Sequence, residues 1–286
     1  MGIKSKIKNF IKKKFVREIK IPVYIPVESG NRLNGKNVLI TGGSGGIGFA
    51  IANACLRNGA NIIITGRDQV KLDETCKKLS ENIENKCEVY GIVLDIKDTV
   101  NIKEKIENAS AMFKNNQIDI LVNNAGVAGA GNIGMTDVDD YDKVLNTNLK
   151  GTYFMAQEFS NYLISNHLKG NILNISSASG VRPAISPYMV SKWGEIGLTQ
   201  GLAKKLIPYE IVVNGIAPGP TATDMLHKDG SDLMYDNSPA KRFTDPVEVA
   251  NLAVFLISDS GKMIIGDTVY ITGGCGTLTL DDIRYN

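Results

Sequence analysis

Tyr188 and Lys192 stand four residues apart in Tyr188-Met189-Val190-Ser191-Lys192, downstream of Asn174-Ile175-Ser176-Ser177. On a helix, residues i and i+4 share a face, so this spacing sets an ammonium beside a phenol. A free phenol titrates near ~10 and is a poor proton donor or acceptor at neutral pH. A neighbouring cation favours the phenolate and draws the group toward the working range. A tyrosine tuned in this way protonates a nascent alkoxide or deprotonates an alcohol. That is the acid–base half of a hydride transfer. A lone Tyr-x-x-x-Lys pattern is common on helix surfaces, so the segments that would hold it decide its meaning.

From about Lys36 the chain alternates short apolar runs with helix-like stretches. The runs 37–41, 61–65, 87–93, 118–123, 170–176, 211–217 and 267–271 read as strands. Several are nearly continuous in Ile, Val and Leu, as strands buried on both faces are. Helices are expected over 47–58, 69–82, 99–115, 138–166, 188–207 and 246–257. This alternation predicts one doubly wound α/β (Rossmann) domain with a mainly parallel sheet of about seven strands. The stretch 218–245 has no clean period and reads as a long loop or small helical insert near the carboxyl ends of the strands.

The first strand runs into Thr41-Gly42-Gly43-Ser44-Gly45-Gly46-Ile47-Gly48 and then a helix. Gly42, Gly46 and Gly48 give G-x-x-x-G-x-G. A tight turn, close backbone approach to a pyrophosphate and close helix–strand packing all require a missing Cβ. The helix N-terminus adds free N–H groups and a positive dipole end. The second strand ends at Thr65-Gly66-Arg67-Asp68. A carboxylate at that place would accept from the ribose hydroxyls of NAD. Here it is Gly66, and Arg67 follows with a planar fork suited to a 2′-phosphate. The expectation is therefore NADP(H) over NAD(H). Asp95, at the end of the third strand, is placed at the adenine edge.

Composition narrows the classes. A formal charge of +2 gives no reason to expect a nucleic-acid partner, and two His with four Cys lacking paired spacing offer no metal cluster. The Cys are expected to stay reduced in a cytoplasmic setting. No apolar run of membrane-spanning length occurs.

With these motifs in order, the chain resembles the short-chain dehydrogenase/reductase family over about Leu33–Gly274, and within it the FabG-like 3-oxoacyl-carrier-protein reductase group. The resemblance rests on the Gly-rich turn, Asn123-Asn124-Ala125-Gly126, Asn146-Thr147-Asn148-Leu149, Ile175-Ser176-Ser177, Tyr188…Lys192 and Asn214-Gly215-Ile216-Ala217-Pro218-Gly219. It implies a catalytic tetrad of Asn148, Ser177, Tyr188 and Lys192. Tyr188 would be the general acid in reduction. Lys192 would tune it and bond the nicotinamide ribose. Ser177 would orient the substrate carbonyl, and Asn148 would hold a water linking Lys192 to solvent. Ser176 competes for the serine role; Ser177 is preferred because it lies three residues before Gly180. Cofactor contacts are implied at Gly42, Ser44, Gly46, Ile47, Gly48, Arg67 and Asp95. Further contacts are implied at Asn123, Ala125 and Gly126 beside the adenosine, at Tyr188 and Lys192, and at Pro218, Gly219 and Thr223 beside the carboxamide. Three departures from the family pattern stand out. The spacing of Ser177 to Tyr188 is short, Thr272-Gly273-Gly274 replaces Asp-Gly-Gly, and a tail follows over 278–286.

Residues 1–32 precede that body as an extension. Residues 1–20 hold eight Lys/Arg against Glu18, a segment of +7, while the rest of the chain is −5. Ile3, Ile7, Phe10 and Ile11 recur at helical spacing among lysines, which suits an anionic membrane surface. Ile19, Ile21, Val23, Ile25 and Val27 then alternate around Pro22 and Pro26, as in an extended arm. A packing arm, an anchor to a membrane surface or an acidic partner, and a targeting peptide are the three readings.

The function expected is NADP(H)-dependent reduction of a carbonyl to an alcohol, with a 3-oxoacyl thioester carried on an acyl carrier protein as the leading substrate. Lys228, Lys241 and Arg242 are candidates for a basic patch facing such a carrier. A keto-sugar or polyol of surface-polysaccharide synthesis is the alternative. A non-catalytic nucleotide sensor or scaffold is the alternative of another class. The family resemblance implies a homo-oligomer, tetramer or dimer, built on the helices 138–166 and 188–207.

Overall fold

The computed structural model describes residues 31–81, 87–223, 225 and 233–276. The expectations for residues 1–30, for Lys228 and for the tail 278–286 lie outside these.

Seven strands form one sheet: β1 Asn37–Thr41, β2 Asn61–Gly66, β3 Val89–Val93, β4 Ile120–Asn123, β5 Gly170–Ile175, β6 Ile211–Pro218 and β7 Thr268–Ile271. The order is β3-β2-β1-β4-β5-β6-β7, and every pairing is parallel rather than mainly so. The helices are α1 Gly46–Arg57, α2 Gln69–Glu81, α3 Ile102–Met112, α4 Val138–Leu145, α5 Thr152–Ser165, α6 Pro187–Leu206 and α7 Pro246–Ile257. Strand order reverses between β1 and β4, and a crevice opens beyond their carboxyl ends, where such sheets bind ligands.

Alternation along each strand explains the continuous apolar runs. Val38 and Ile40, Ile62 and Ile64, and Ile120 and Val122 join a core under α1, α2 and α7. Leu39, Ile63 and Leu121, one residue out of phase, join a second core under α3, α5 and α6. Both faces are covered, so each residue of the run is buried, at about 1.5–3 kcal/mol per large side chain.

One expected element divides. The stretch 138–166 is not a single helix: a π-helical turn at Asn146–Gly151 separates α4 from α5. Gly151 packs so closely on Ile96 that a Cβ would lie 2.7 Å from its side chain and 2.9 Å from its carbonyl oxygen. The wide turn carries Asn148 inward, where it is fully buried. In the 218–245 stretch the described residues form loop, tied by bridges pairing Thr221 with Thr244 and Met234 with Arg242.

Candidate active site

At the nucleotide end, β1 enters a turn clamped from β4. Asn124 donates through Nδ2 to the carbonyls of Thr41 (3.1 Å) and Gly42 (3.0 Å). The Thr41 hydroxyl accepts from the backbone N–H groups of Asn124 (3.0 Å) and Ala125 (3.1 Å). Gly42 has φ +64°, and a Cβ there would lie 2.9 Å from Ala125 Cα. A Cβ on Gly48 would lie 2.4 Å from the Gly42 carbonyl oxygen and 2.5 Å from Asn124 Nδ2. Close contacts thus explain Gly42 and Gly48, and a φ of +50° explains Gly46. Helix α1 follows with no side-chain cap and no acidic residue in its first turn. Its leading N–H groups and dipole therefore favour an anion.

Beyond β2, Arg67 is exposed and lines the same cleft, of about 370 Å³, as Ser44, Ile47, Lys71 and Asp95. Lys71 sits four residues after Arg67 in the first turn of α2. Its ammonium is 3.9 Å from the Cβ position of Gly45. Two cations thus face the Gly-rich turn. Sequence reasoning missed Lys71, and the only signal was its helical spacing from Arg67. Asp95 accepts from the Lys97 N–H and stays at the cleft edge. The uncapped helix, the cradle that a Cβ would fill and these two cations fit a phosphorylated dinucleotide.

At the other end of the cleft, α6 starts where the sequence says it should. Ser186 is its N-cap, accepting from the Met189 N–H at 3.3 Å, and Pro187 follows at the first helical position. Tyr188 therefore sits in the first turn, half-buried, with Lys192 one turn on. Lys192 Nζ is 5.7 Å from the Tyr188 ring centroid. It donates to the Ile175 carbonyl (3.1 Å) and to both carboxylate oxygens of Glu195 (2.9 Å each). Burial pushes the Lys192 ammonium down, but Glu195 and Tyr188 overcome it and leave the group raised above its ordinary value. Burial pushes the Glu195 carboxyl up to about 7, against the pull of Lys192 and Ser176. A hydrogen-bond chain fixes the helix on the sheet: Asn123 Nδ2 to Asn174 Oδ1, Asn174 Nδ2 to the Thr199 hydroxyl, and that hydroxyl to the Glu195 carbonyl.

The two serines part ways. Ser176 donates to the Lys192 carbonyl at 3.0 Å. Ser177 caps its own 3-10 turn by accepting from the Ser179 N–H at 3.1 Å, a bond that does not use its hydroxyl proton. Asn148 accepts from the Val127 N–H (2.8 Å) and donates to the Val127 carbonyl (2.9 Å) and the Ser191 hydroxyl (3.1 Å). It ties the loop after β4 to α6. Asn124, Ala125 and Gly126 line the cleft, whereas the Asn123 carboxamide is buried against Asn174. Thr223 lies at the cleft beside Gly46, with Met225. Pro218 ends β6, and Gly219 packs on Thr272, where a Cβ would lie 2.8 Å from Thr272 Cα. Of the suggested basic patch, Arg242 is engaged with Glu248 through two bonds of 2.6 and 2.7 Å, and Lys241 bonds the Asp236 carbonyl. A second groove of about 410 Å³ lies between α1 and α7; its lining of Phe49, Arg57 and Val247 and their neighbours includes neither Tyr188 nor Lys192.

Comparison with known proteins agrees with this geometry. The family model described as enoyl-(acyl carrier protein) reductase matches residues 42–276. The 3-oxoacyl-(acyl-carrier-protein) reductase FabG of Thermotoga maritima is 36% identical over 248 residues, covering 85% of this chain and 98% of its own. A short-chain dehydrogenase of Burkholderia cenocepacia, solved with NADP, superposes with TM-score 0.75 at 32% identity, over 85% of this chain and 98% of that one. A gluconate 5-dehydrogenase of the same organism, solved with NADP and tartrate, gives TM-score 0.78 at 29% identity, over 88% of this chain and 98% of that one. Family model, sequence relatives and structures converge over the same span, and the chain belongs to the short-chain dehydrogenase/reductase family of oxidoreductases.

Proposed function

We propose that this protein is an NADP(H)-dependent carbonyl reductase whose substrate is a 3-oxoacyl thioester borne on an acyl carrier protein. One observation carries the reading: a single cleft joins the Gly-rich turn, Arg67 and Lys71 at one end to Tyr188 and Lys192 at the other. When bound, the nicotinamide supplies the hydride in reduction and accepts it in the reverse direction. Tyr188 gives its phenolic proton to the carbonyl oxygen as that oxygen gains charge, and is reprotonated from solvent. Ser177 donates its hydroxyl hydrogen to the same oxygen and holds the carbonyl in place. Lys192 favours the phenolate that Tyr188 leaves behind. Asn148 holds the Val127 loop and Ser191 in register with them.

The thioester reading draws on the FabG relatives, whose names state a 3-oxoacyl substrate. The family model's description names an enoyl substrate instead. The ketone is preferred because Tyr188 is set to protonate an oxygen. A keto-sugar or polyol substrate is the second reading, favoured by the likeness to gluconate 5-dehydrogenase. Oxidation of NADPH by the purified protein against acetoacetyl thioesters, simple ketones and keto-sugars separates these. Thioester turnover is expected; turnover of keto-sugars alone would transfer the assignment to the second reading.

The cofactor preference has its own test. Arg67→Ala should weaken NADPH binding about 10–100-fold, the range for losing one charge-assisted, forked contact to a phosphate, while NADH affinity stays within about threefold. Titration by nucleotide fluorescence reads both constants, and equal losses for the two nucleotides would refute a 2′-phosphate role.

Association through α4, α5 and α6 is part of the proposal. Val138, Tyr141, Tyr153, Val190 and Trp193 leave apolar surface exposed on these helices. Light scattering should give two or four times the chain mass of 31.0 kDa; a monomeric mass at micromolar concentration would count against it.

A further inference from the structure

Glu195 is a buried ionisable group beside Lys192 to which the mechanism gives no task. Glu195 is 2% exposed and Lys192 5% exposed. Tyr188, Lys192 and Glu195 occupy positions i, i+4 and i+7 of α6, one face of the helix. An ammonium has three hydrogens to give. Those of Lys192 go to the Ile175 carbonyl and to the two oxygens of the Glu195 carboxylate. The lysine is therefore held at three points, two of them by one side chain.

A buried ion pair brings little net stability, because desolvating both charges offsets their attraction. Its place beside the acid–base residue points to another role. Burial is the largest influence on the Lys192 ammonium and acts to remove its proton; Glu195 is the first of the influences that oppose it. A neutral lysine would exert no pull on the Tyr188 phenol. The groups around the pair are few. Among the described residues, the charged or titratable groups acting on it are its own two members and Tyr188. The end of β5 contributes the neutral Ser176 and the Ile175 carbonyl. The neutral Thr199 hydroxyl holds the Glu195 backbone.

We propose that Glu195 is a positioning residue for proton transfer: its carboxylate keeps the Lys192 ammonium charged and pinned within reach of Tyr188. The inference rests on the reading of Tyr188 as the general acid. It adds a side chain to the tetrad, acting through Lys192 and not on substrate. It also predicts that lysine and glutamate behave as one unit, so that removing the carboxylate costs most of what removing the ammonium costs.

The first readout needs no knowledge of the substrate. A near-ultraviolet difference titration, parent minus Tyr188→Phe, isolates the ionisation of Tyr188 from the other tyrosines. The same difference is taken in the Glu195→Gln background, with Glu195→Asp as the conservative variant. In Glu195→Gln the Tyr188 phenolate should form at a pH higher by about one unit or more, as expected when a cation within ~4–6 Å is lost. Its kcat should fall tenfold or more, with the cofactor KM within about threefold. Glu195→Asp keeps the charge but withdraws it by one methylene, so its titration should still rise, by no more than half the rise in Glu195→Gln. An unmoved titration in both variants, or a move to lower pH, would overturn the inference. A lower pH would mean that the carboxylate offsets the lysine and does not sustain it. Should Glu195→Gln fail to fold, the Asp variant alone still decides. Shortening the side chain by one methylene must raise the titration, and no rise defeats the proposal. Failure of the underlying reading looks different, since Tyr188→Phe would then retain turnover whatever Glu195 does.

Discussion

Tyr188→Phe should lower turnover by about 10²–10⁴-fold, the usual contribution of a positioned general acid or base. The substitution removes only the hydroxyl, so the ring keeps its place in the first turn of α6. The Ser186 hydroxyl caps the helix by accepting from the Met189 N–H, which Phe leaves alone, and Lys192 keeps its bonds to Ile175 and Glu195. Cofactor affinity should accordingly stay within about threefold and the melting temperature within a few degrees. The pattern to look for is a collapse of kcat with nucleotide binding preserved. A nucleotide sensor or scaffold would be indifferent to the change. Full reductase activity in Tyr188→Phe would remove the phenol from the mechanism, and with it the role assigned to Lys192.

Much of this site is legible in the chain because its geometry constrains backbone. Glycines at 42 and 48 are forced by contacts of 2.4–2.9 Å that no side chain allows, so their spacing survives in the sequence as a readable pattern. Strand runs are equally plain, because Val38 to Ile40 and Ile62 to Ile64 are buried on alternate faces of one sheet. What the sequence hides is partnership. The spacing of Glu195 from Lys192 allows a pair on one helix face, but nothing local says that the pair is enclosed. Lys71 looks like any surface lysine until the turn at Gly45 is brought beside it. In Asn123-Asn124 the two side chains leave the strand end in opposite directions. One bonds Asn174 and the other clamps the Gly-rich turn; composition cannot tell which does which. The division of 138–166 is hidden for a similar reason. The π-helical turn answers a contact between Gly151 and Ile96, two residues far apart in the chain.

The clamp at the Gly-rich turn leads to the second large effect. Gly48→Ala adds a single methyl, yet that carbon would lie 2.4 Å from the Gly42 carbonyl oxygen, 2.5 Å from Asn124 Nδ2 and 3.0 Å from Gly43 Cα. Two of these three are backbone atoms and cannot rotate away. The third could move only by giving up its bonds to Thr41 and Gly42. Either α1 backs away from β1 or the turn shifts, and both displace the N–H groups meant for the phosphates. Overpacking of this kind costs about 1–3 kcal/mol of stability. Binding should suffer more, because the anion site consists of those displaced groups. Nucleotide affinity is expected to fall at least about 100-fold, equal to about 2.7 kcal/mol or more. NADPH and NADH should lose alike, since the atoms that a Cβ on Gly48 would meet belong to Gly42, Gly43 and Asn124 and not to Arg67. That sets Gly48→Ala apart from Arg67→Ala, where only NADPH suffers. Titration of both nucleotides against Gly48→Ala, with its melting curve, reads the two effects together. Binding within tenfold of the parent would mean that the phosphates do not lie on this turn, and the cleft would need another ligand.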